Sequence, residues 1–318
     1  MTSRGRDNTR IGIALGSGAA RGWAHIGVLR ALAAKGIEPG IVAGSSIGAL
    51  VGAAYAAGQL DTLEAWCRRL TATRMLAYLD FSLLGGGLMQ GEKLTETVRE
   101  QIGDPSIESL SRRFGATATD LDSGQEVWFR DGPLLRAVRA SMGIPGILSP
   151  VRIGGRWLVD GGLANPVPVS LCRAMGAQVV IAVNLNSDIV GKHGRNRERP
   201  AGRPDADADA AAAATRVGRG LADLREALSR RNELLLSRLL GKQARSPGLF
   251  EVLAGSINIM QDRITRARMA GDPPDIVLSP RLSELGLLEF DRARKAIAEG
   301  EASVASAGSE LDNVLRPN

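Results

Sequence analysis

The sequence predicts an α/β fold with mainly parallel strands, on three observations. Short apolar runs bounded by glycine stand at Ile11 to Leu15 and Ile41 to Ala43, with another apolar run at Val179 to Val183. The order strand, loop, helix, strand, loop, helix over residues 11–58 requires parallel strands joined by right-handed crossovers. The third is the stretch Gly44-Ser45-Ser46-Ile47-Gly48, which reads as strand, sharp turn and helix, the geometry that lifts a serine hydroxyl toward a substrate.

Taken in order, Ile11 to Leu15 is a short buried strand and residues 16–22 (GSGAARG) form a small-residue loop. Trp23 to Lys35 has apolar residues at 23, 26, 28, 29 and 32 and stops at Gly36, a helix with a glycine cap. Ile41 to Ala43 is the second strand, followed by the elbow and a helix to about Gly58. Gly44 and Gly48 leave room where strand and helix nearly collide. Asp61 to Leu70 reads as a helix capped by Asp61. Phe81 to Gly91 (FSLLGGGLMQG) is apolar but broken by glycine, and reads as a mobile hydrophobic loop, either a lid or an ordinary surface loop. Thr95 to Ile102 is helical. Phe114 to Asp120 and Glu126 to Phe129 form a strand pair about the turn Asp122-Ser123-Gly124. Leu134 to Met142 is a helix. Val151 to Ile153 and Arg156 to Val159 form a hairpin that delivers Asp160-Gly161-Gly162. A helix to about Met175 precedes the strand Val179 to Val183.

Composition shifts near Gly191. Residues 192–215 are polar and low in complexity, and read as a linker or disordered loop. Apolar residues from Val217 to Leu239 recur at helical spacing among arginines. They fit a helix packed on the domain; the alternative is a basic amphipathic helix for a membrane face or a dimer partner. Phe250 to Ala267 reads as one more helix and Asp275 to Leu278 as a last strand. The expected division is a catalytic domain over 8–185, a flexible polar linker over 186–215 and a mostly helical region over 216–318 that packs on the catalytic domain.

An apolar fraction of 44% suits a globular protein. Aromatic residues at 3% argue against a stacking platform for single-stranded nucleic acid. The formal charge of +6 favours anionic surfaces without naming one. The two cysteines, Cys67 and Cys172, are too few for a disulfide framework and lack metal-site spacing, so the expectation is a reducing, cytoplasmic setting, with peripheral contact at the inner membrane face left open. Met1 to Arg10 is polar and basic, and the apolar run after it is too short for a signal-peptide core. Pro39 to Leu60 is uncharged, but Pro39, Gly40 and the serine turn break it as a membrane helix.

Acyl transfer needs a nucleophile, a base and donors for the oxyanion. Ser46 is the candidate nucleophile. The donors are the backbone N–H of Ile47, at the start of a helix, and those of the loop that leaves the neighbouring strand, Ser17, Gly18, Ala19, Ala20 and Arg21. His25, within a helix, reads as a packed residue, and His193 lies in the low-complexity stretch. The order Ser46, Asp160, His193 would satisfy a triad, although the elbow comes early for such a fold and a triad histidine needs an ordered loop. Without a histidine a carboxylate must take the serine proton, and it must be desolvated to do so. Asp160, after Trp157-Leu158-Val159, fits that position; it also fits an ordinary Asp-Gly turn. No histidine–carboxylate cluster calls for a metal, and no cofactor is expected. The start Gly16-x-Gly18 resembles a dinucleotide-binding turn, but Arg21 takes the third glycine position.

Together GSGAARGWAHIGVL at 16–29, GSSIGAL at 44–50 and DGGLANPVPV at 160–169 resemble the patatin-like phospholipase family, and ATDLDSG at 118–124 and SMGIPGILSPV at 141–151 reinforce the match. The stretch LFEVLAGSINIMQDRITRARMAGDPPDIVLSP resembles a bacterial branch of it. The resemblance implies a three-layer α/β/α fold, a Ser46–Asp160 dyad with Gly161 and Gly162 beside the base, an oxyanion loop at 16–22, and a lipid or lysophospholipid substrate. A regulatory or adaptor protein on the same scaffold, and a general carboxylesterase, are the alternatives. The family's Gly-x-Gly-x-x-Gly loop departs here at Ser17 and Ala19. Ala19 must therefore avoid positive φ or accept strain. Arg21 either holds the loop or meets a lipid phosphate.

Overall fold

Strand–helix alternation builds the central sheet. The computed structural model describes residues 10–71, 87–89, 91–188 and 249–315. Its strands are β1 (Ile11–Leu15), β2 (Ile41–Ser45), β3 (Gly87–Met89), β4 (Arg113–Asp120), β5 (Glu126–Phe129), β6 (Gly146–Leu148), β7 (Val151–Ile153), β8 (Arg156–Asp160), β9 (Val179–Val183) and β10 (Ile276–Leu278). Its helices are α1 (Ala24–Ala34), α2 (Ile47–Ala56), α3 (Leu60–Cys67), α4 (Glu92–Ile102), α5 (Leu134–Ser141), α6 (Val169–Ala174), α7 (Leu249–Gly271), α8 (Ala293–Ser306) and α9 (Gly308–Leu315). Two compact units divide the chain, residues 1–194 with 257–318, and residues 195–256, of which only 249–256, the opening turns of α7, are described.

The main sheet runs β10-β9-β1-β2-β4-β8-β7, with β5 also on β4. It is parallel from β10 to β4 and antiparallel beyond. Alternation along each central strand sends side chains to two separate cores. Ile13, Leu15, Val42, Ile181 and Val183 face the larger one, under α1, α2 and α8. Ala14, Ile41, Ala43, Val180 and Ala182 face a smaller one, under α6. Helices on both faces make the three-layer α/β/α arrangement.

The register of β4 positions the site. β2 runs beside β4 up to the pair Ser45–Thr117. β8, arriving from the opposite direction, takes over at the pair Asp160–Ala118. β5 occupies the other edge of β4 over Ala116 to Thr119, so β2 and β8 share one edge and end head to head. Residues 46 and 160 are thereby delivered to the same point by backbone pairing alone.

C-terminal residues complete this unit. β10 extends the parallel sheet, and α8 crosses α1 at a glycine pair. A methyl on Gly27 would fall 1.9 Å from the Ile297 carbonyl oxygen, and one on Gly300 would fall 2.0 Å from that of Ala24. Trp23 and Trp66 pack edge to face at 6.0 Å beside this junction.

Several expectations need correction. Residues 87–89 of the expected hydrophobic loop pair in parallel with β6 as a two-stranded sheet, whereas 81–86 and 90 lie outside the described residues. Gln59, not Asp61, is the residue that precedes α3; the Asp61 carboxylate bonds Arg30 instead. Residues 186–188, expected to open a linker, belong to the domain: Asn186 is 1% exposed and bonded to Gln261. The remainder of the expected linker, the helical pattern 217–239 and His193 lie outside the described residues. No described helix is long and apolar enough to cross a membrane.

Candidate active site

Ser46 follows β2 and immediately precedes α2, with φ 55° and ψ −123°. A β-strand that must turn at once into a helix forces one residue into positive φ, and the serine takes it. The flanking glycines are required by close approach. A methyl on Gly44 would fall 2.5 Å from Ala49 Cα, and one on Gly48 would fall 2.1 Å from the Leu15 carbonyl oxygen. The Ser46 N–H donates to Ser141 Oγ at 2.8 Å, which fixes the turn from α5.

Ser46 Oγ donates to Asp160 Oδ2 at 2.5 Å. The other carboxylate oxygen accepts the Gly162 N–H at 2.8 Å. Asp160 itself is held through its backbone: its N–H donates to the Gly143 carbonyl at 2.9 Å and its carbonyl accepts Thr119 Oγ1 at 2.8 Å. Both Ser46 and Asp160 are 2% exposed. Burial raises the Asp160 carboxyl from 3.8 to about 6, against the hydrogen bonds from Ser46 and Gly162, which lower it. A methyl on Gly161 would fall 2.2 Å from the Thr117 carbonyl oxygen, so the chain after Asp160 lies hard against β4.

The six candidate oxyanion donors separate into two groups. The N–H of Ser17 bonds the Pro166 carbonyl, that of Ala20 the Leu287 carbonyl, and that of Arg21 the Gly18 carbonyl. Those three, expected from sequence to be available, are instead spent on holding the loop. The N–H groups of Gly18, Ala19 and Ile47 have no acceptor among the described residues. Gly18 and Ala19 line the cleft at Ser46, and Ile47 opens α2 directly after it. Ala19 adopts φ 48° and so accepts the strain that its departure from glycine implies.

The loop is braced from two directions. His25, fully buried, donates from Nε2 to the Gly16 carbonyl at 2.8 Å, and burial lowers its pKa to about 4, so the ring is neutral. Its partner is thus the loop and not Ser46. A strap from the C-terminal part of the chain supplies three carbonyls. Leu285 accepts Arg21 Nε at 2.9 Å, Leu287 accepts the Ala20 N–H at 3.0 Å and Phe290 accepts Trp23 Nε1 at 3.1 Å. Arg21 is 5% exposed and also reaches Asn258 Oδ1, so its guanidinium holds the loop and faces inward.

The cleft walls are mostly apolar, with Ile144, Pro145, Leu163, Ile257 and Leu287 around Ser46 and Asp160. Sequence reasoning missed Ser141, Gly143, Thr119 and the strap. Ser141 and Gly143 fall in the SMGIPG stretch, which carried a resemblance but no role. Among the described residues no group of His, Cys, Asp and Glu side chains could hold a metal ion.

Residues 13–173 match the family described as patatin-like phospholipase. Over 335 aligned residues the chain is 37% identical to an NTE family protein of Mycobacterium tuberculosis, covering 96% of this chain and 92% of that one. It is 34% identical over 184 residues to patatin-like phospholipase domain-containing protein 6 of Homo sapiens, covering 56% of this chain and 13% of that protein. The solved structure of VipD from Legionella pneumophila is similar at a TM-score of 0.36 and 11% identity, over 98% of this chain and 80% of that one.

Proposed function

The chain belongs to the patatin-like phospholipase family, and from that premise we propose that it is a serine lipid acyl hydrolase working through a Ser46–Asp160 dyad. The observation that carries this is the 2.5 Å hydrogen bond from a strained serine to a buried carboxylate whose pKa is raised to about 6. Such a carboxylate is ionised near neutrality yet basic enough to accept a proton.

Asp160 takes the Ser46 proton as Oγ bonds to the acyl carbonyl carbon of a phospholipid or lysophospholipid. The carbonyl oxygen becomes an oxyanion facing the N–H groups of Gly18, Ala19 and Ile47, where the α2 dipole adds to them. Asp160 then returns the proton to the departing alcohol oxygen as the ester bond breaks, leaving an acyl-Ser46. Water, deprotonated by Asp160, attacks that ester, the fatty acid leaves, and Ser46 Oγ recovers its proton. The apolar cleft wall suits an acyl chain. Peripheral contact with a lipid surface and a cytoplasmic location accord with such a substrate.

Hydrolysis of a short-chain ester and of a lysophospholipid by wild type, Ser46→Ala, Asp160→Asn and His193→Ala tests the assignment. Ser46→Ala and Asp160→Asn should each lower kcat/KM by about a thousandfold or more, with His193→Ala unchanged. Full activity in Asp160→Asn with loss in His193→Ala would replace the dyad by a triad. Undiminished activity in Ser46→Ala would end the hydrolase assignment.

A further inference from the structure

The INIMQDR stretch of α7 lies beyond the family-matched residues, yet it reaches the cleft. Ile257 and Gln261, one turn apart, both line it, and Gln261 is 6% exposed. Gln261 Oε1 accepts Asn186 Nδ2 at 3.0 Å, and the Asn186 N–H in turn bonds Asn184 Oδ1 at 3.0 Å. The bond from Asn186 holds the Gln261 amide in place and leaves its Nε2 without an acceptor among the described residues.

Gln261 Nε2 lies on the bare face of Gly162. A methyl built there would fall 2.4 Å from Gln261 Nε2, 2.5 Å from Ser17 Oγ and 2.9 Å from Asp160 Oδ1. The amide's orientation follows from electrostatics. Turned the other way, it would set a carbonyl oxygen toward the Asp160 carboxylate, whereas the NH2 end meets a favourable field. Gln261 lines the cleft, so a bound ligand can supply the acceptor that Nε2 lacks in the protein.

Position decides which acceptor. The Gly18, Ala19 and Ile47 N–H groups belong to the carbonyl oxygen. The departing alcohol oxygen must stand beside Asp160, the group that returns its proton, and Gln261 stands beside Asp160. We propose that Gln261 Nε2 donates a hydrogen bond to the departing alcohol oxygen of the substrate ester, with Asn186 as the positioning residue that holds it. The assignment rests on the hydrolase reading above.

A donor at that oxygen matters most for a poor leaving group, where negative charge builds up on oxygen as the bond breaks, and least for a nitrophenolate. The test is kcat/KM for a series of esters with one acyl chain and alcohols graded from nitrophenol to alkyl, in wild type, Gln261→Met and Asn186→Leu. In Gln261→Met the alkyl esters should lose about tenfold and the nitrophenyl ester less than about threefold, so dependence on the alcohol steepens. Asn186→Leu should steepen it in the same sense by a smaller factor. The rate of Ser46 labelling by a fluorophosphonate, whose fluoride leaves readily, should fall less than about threefold in Gln261→Met, which separates the effect from a collapsed site. Equal losses across the series, no loss, or labelling that falls with hydrolysis would overturn the proposal. Wild type that neither labels nor hydrolyses any ester would instead remove the hydrolase reading beneath it.

Discussion

Ser46 and Ala19 are the non-glycine residues with positive φ among those described, and both line the cleft. Strain collected at one place and held by surrounding bonds is how a fold presents a serine hydroxyl and backbone donors to a substrate. Ala19 is 5% exposed, so a branched side chain has no relief. Ala19→Val should lose about 2 kcal/mol or more of stability in a denaturant titration, whereas Ala19→Gly should keep the fold. In the proposed dyad the pH response belongs to Asp160. With its pKa raised from 3.8 to about 6, kcat/KM should fall about tenfold per pH unit below that value. Stability runs the other way. A carboxyl that holds its proton more tightly folded than unfolded favours the fold below 3.8, and that contribution is lost as pH rises through about 6. Asp160→Asn should therefore raise Tm at about pH 8 and leave it nearly unchanged at about pH 4, while activity is lost at both.

At the scale of elements, the α1–α8 crossing is as close as backbone allows. Gly300→Ala would drive a methyl to 2.0 Å from the Ala24 carbonyl oxygen, and the helices must separate to admit it. The expected cost is about 2–3 kcal/mol, seen as a Tm lower by about 5–10 °C. That crossing was not legible in the sequence, because a glycine in a helix signals weakness until its neighbour is known. The parallel strands and the elbow were legible, since the apolar runs at 11–15 and 41–43 and the Gly44–Gly48 spacing are local signals. β3 and β6 were not. Each has three residues and no alternation, and each exists through pairing with the other across the chain. The site divides in the same way. Ser46 and Asp160 stood in recognisable motifs, whereas Ser141, Thr119 and Gln261 acquire their places only from the fold.

At the scale of the whole domain, the C-terminal part of the chain belongs to the site. The Leu285, Leu287 and Phe290 carbonyls hold the loop that carries Gly18 and Ala19, and α8 covers α1. A chain ending at residue 281 should expose the apolar face of α1 and free the loop. Size-exclusion chromatography should find it aggregated, and fluorophosphonate should fail to label Ser46 in any monomer recovered. The junction on β4 has a consequence in time as well. Ser46 and Asp160 are 114 positions apart in the chain, and they meet because two strands abut on one edge of a third. Ser46 and Asp160 cannot meet before both strands have docked, so their pairing is a late product of folding. Activity regained after dilution from denaturant should lag the recovery of helical signal, and its half-time measures the docking of β8.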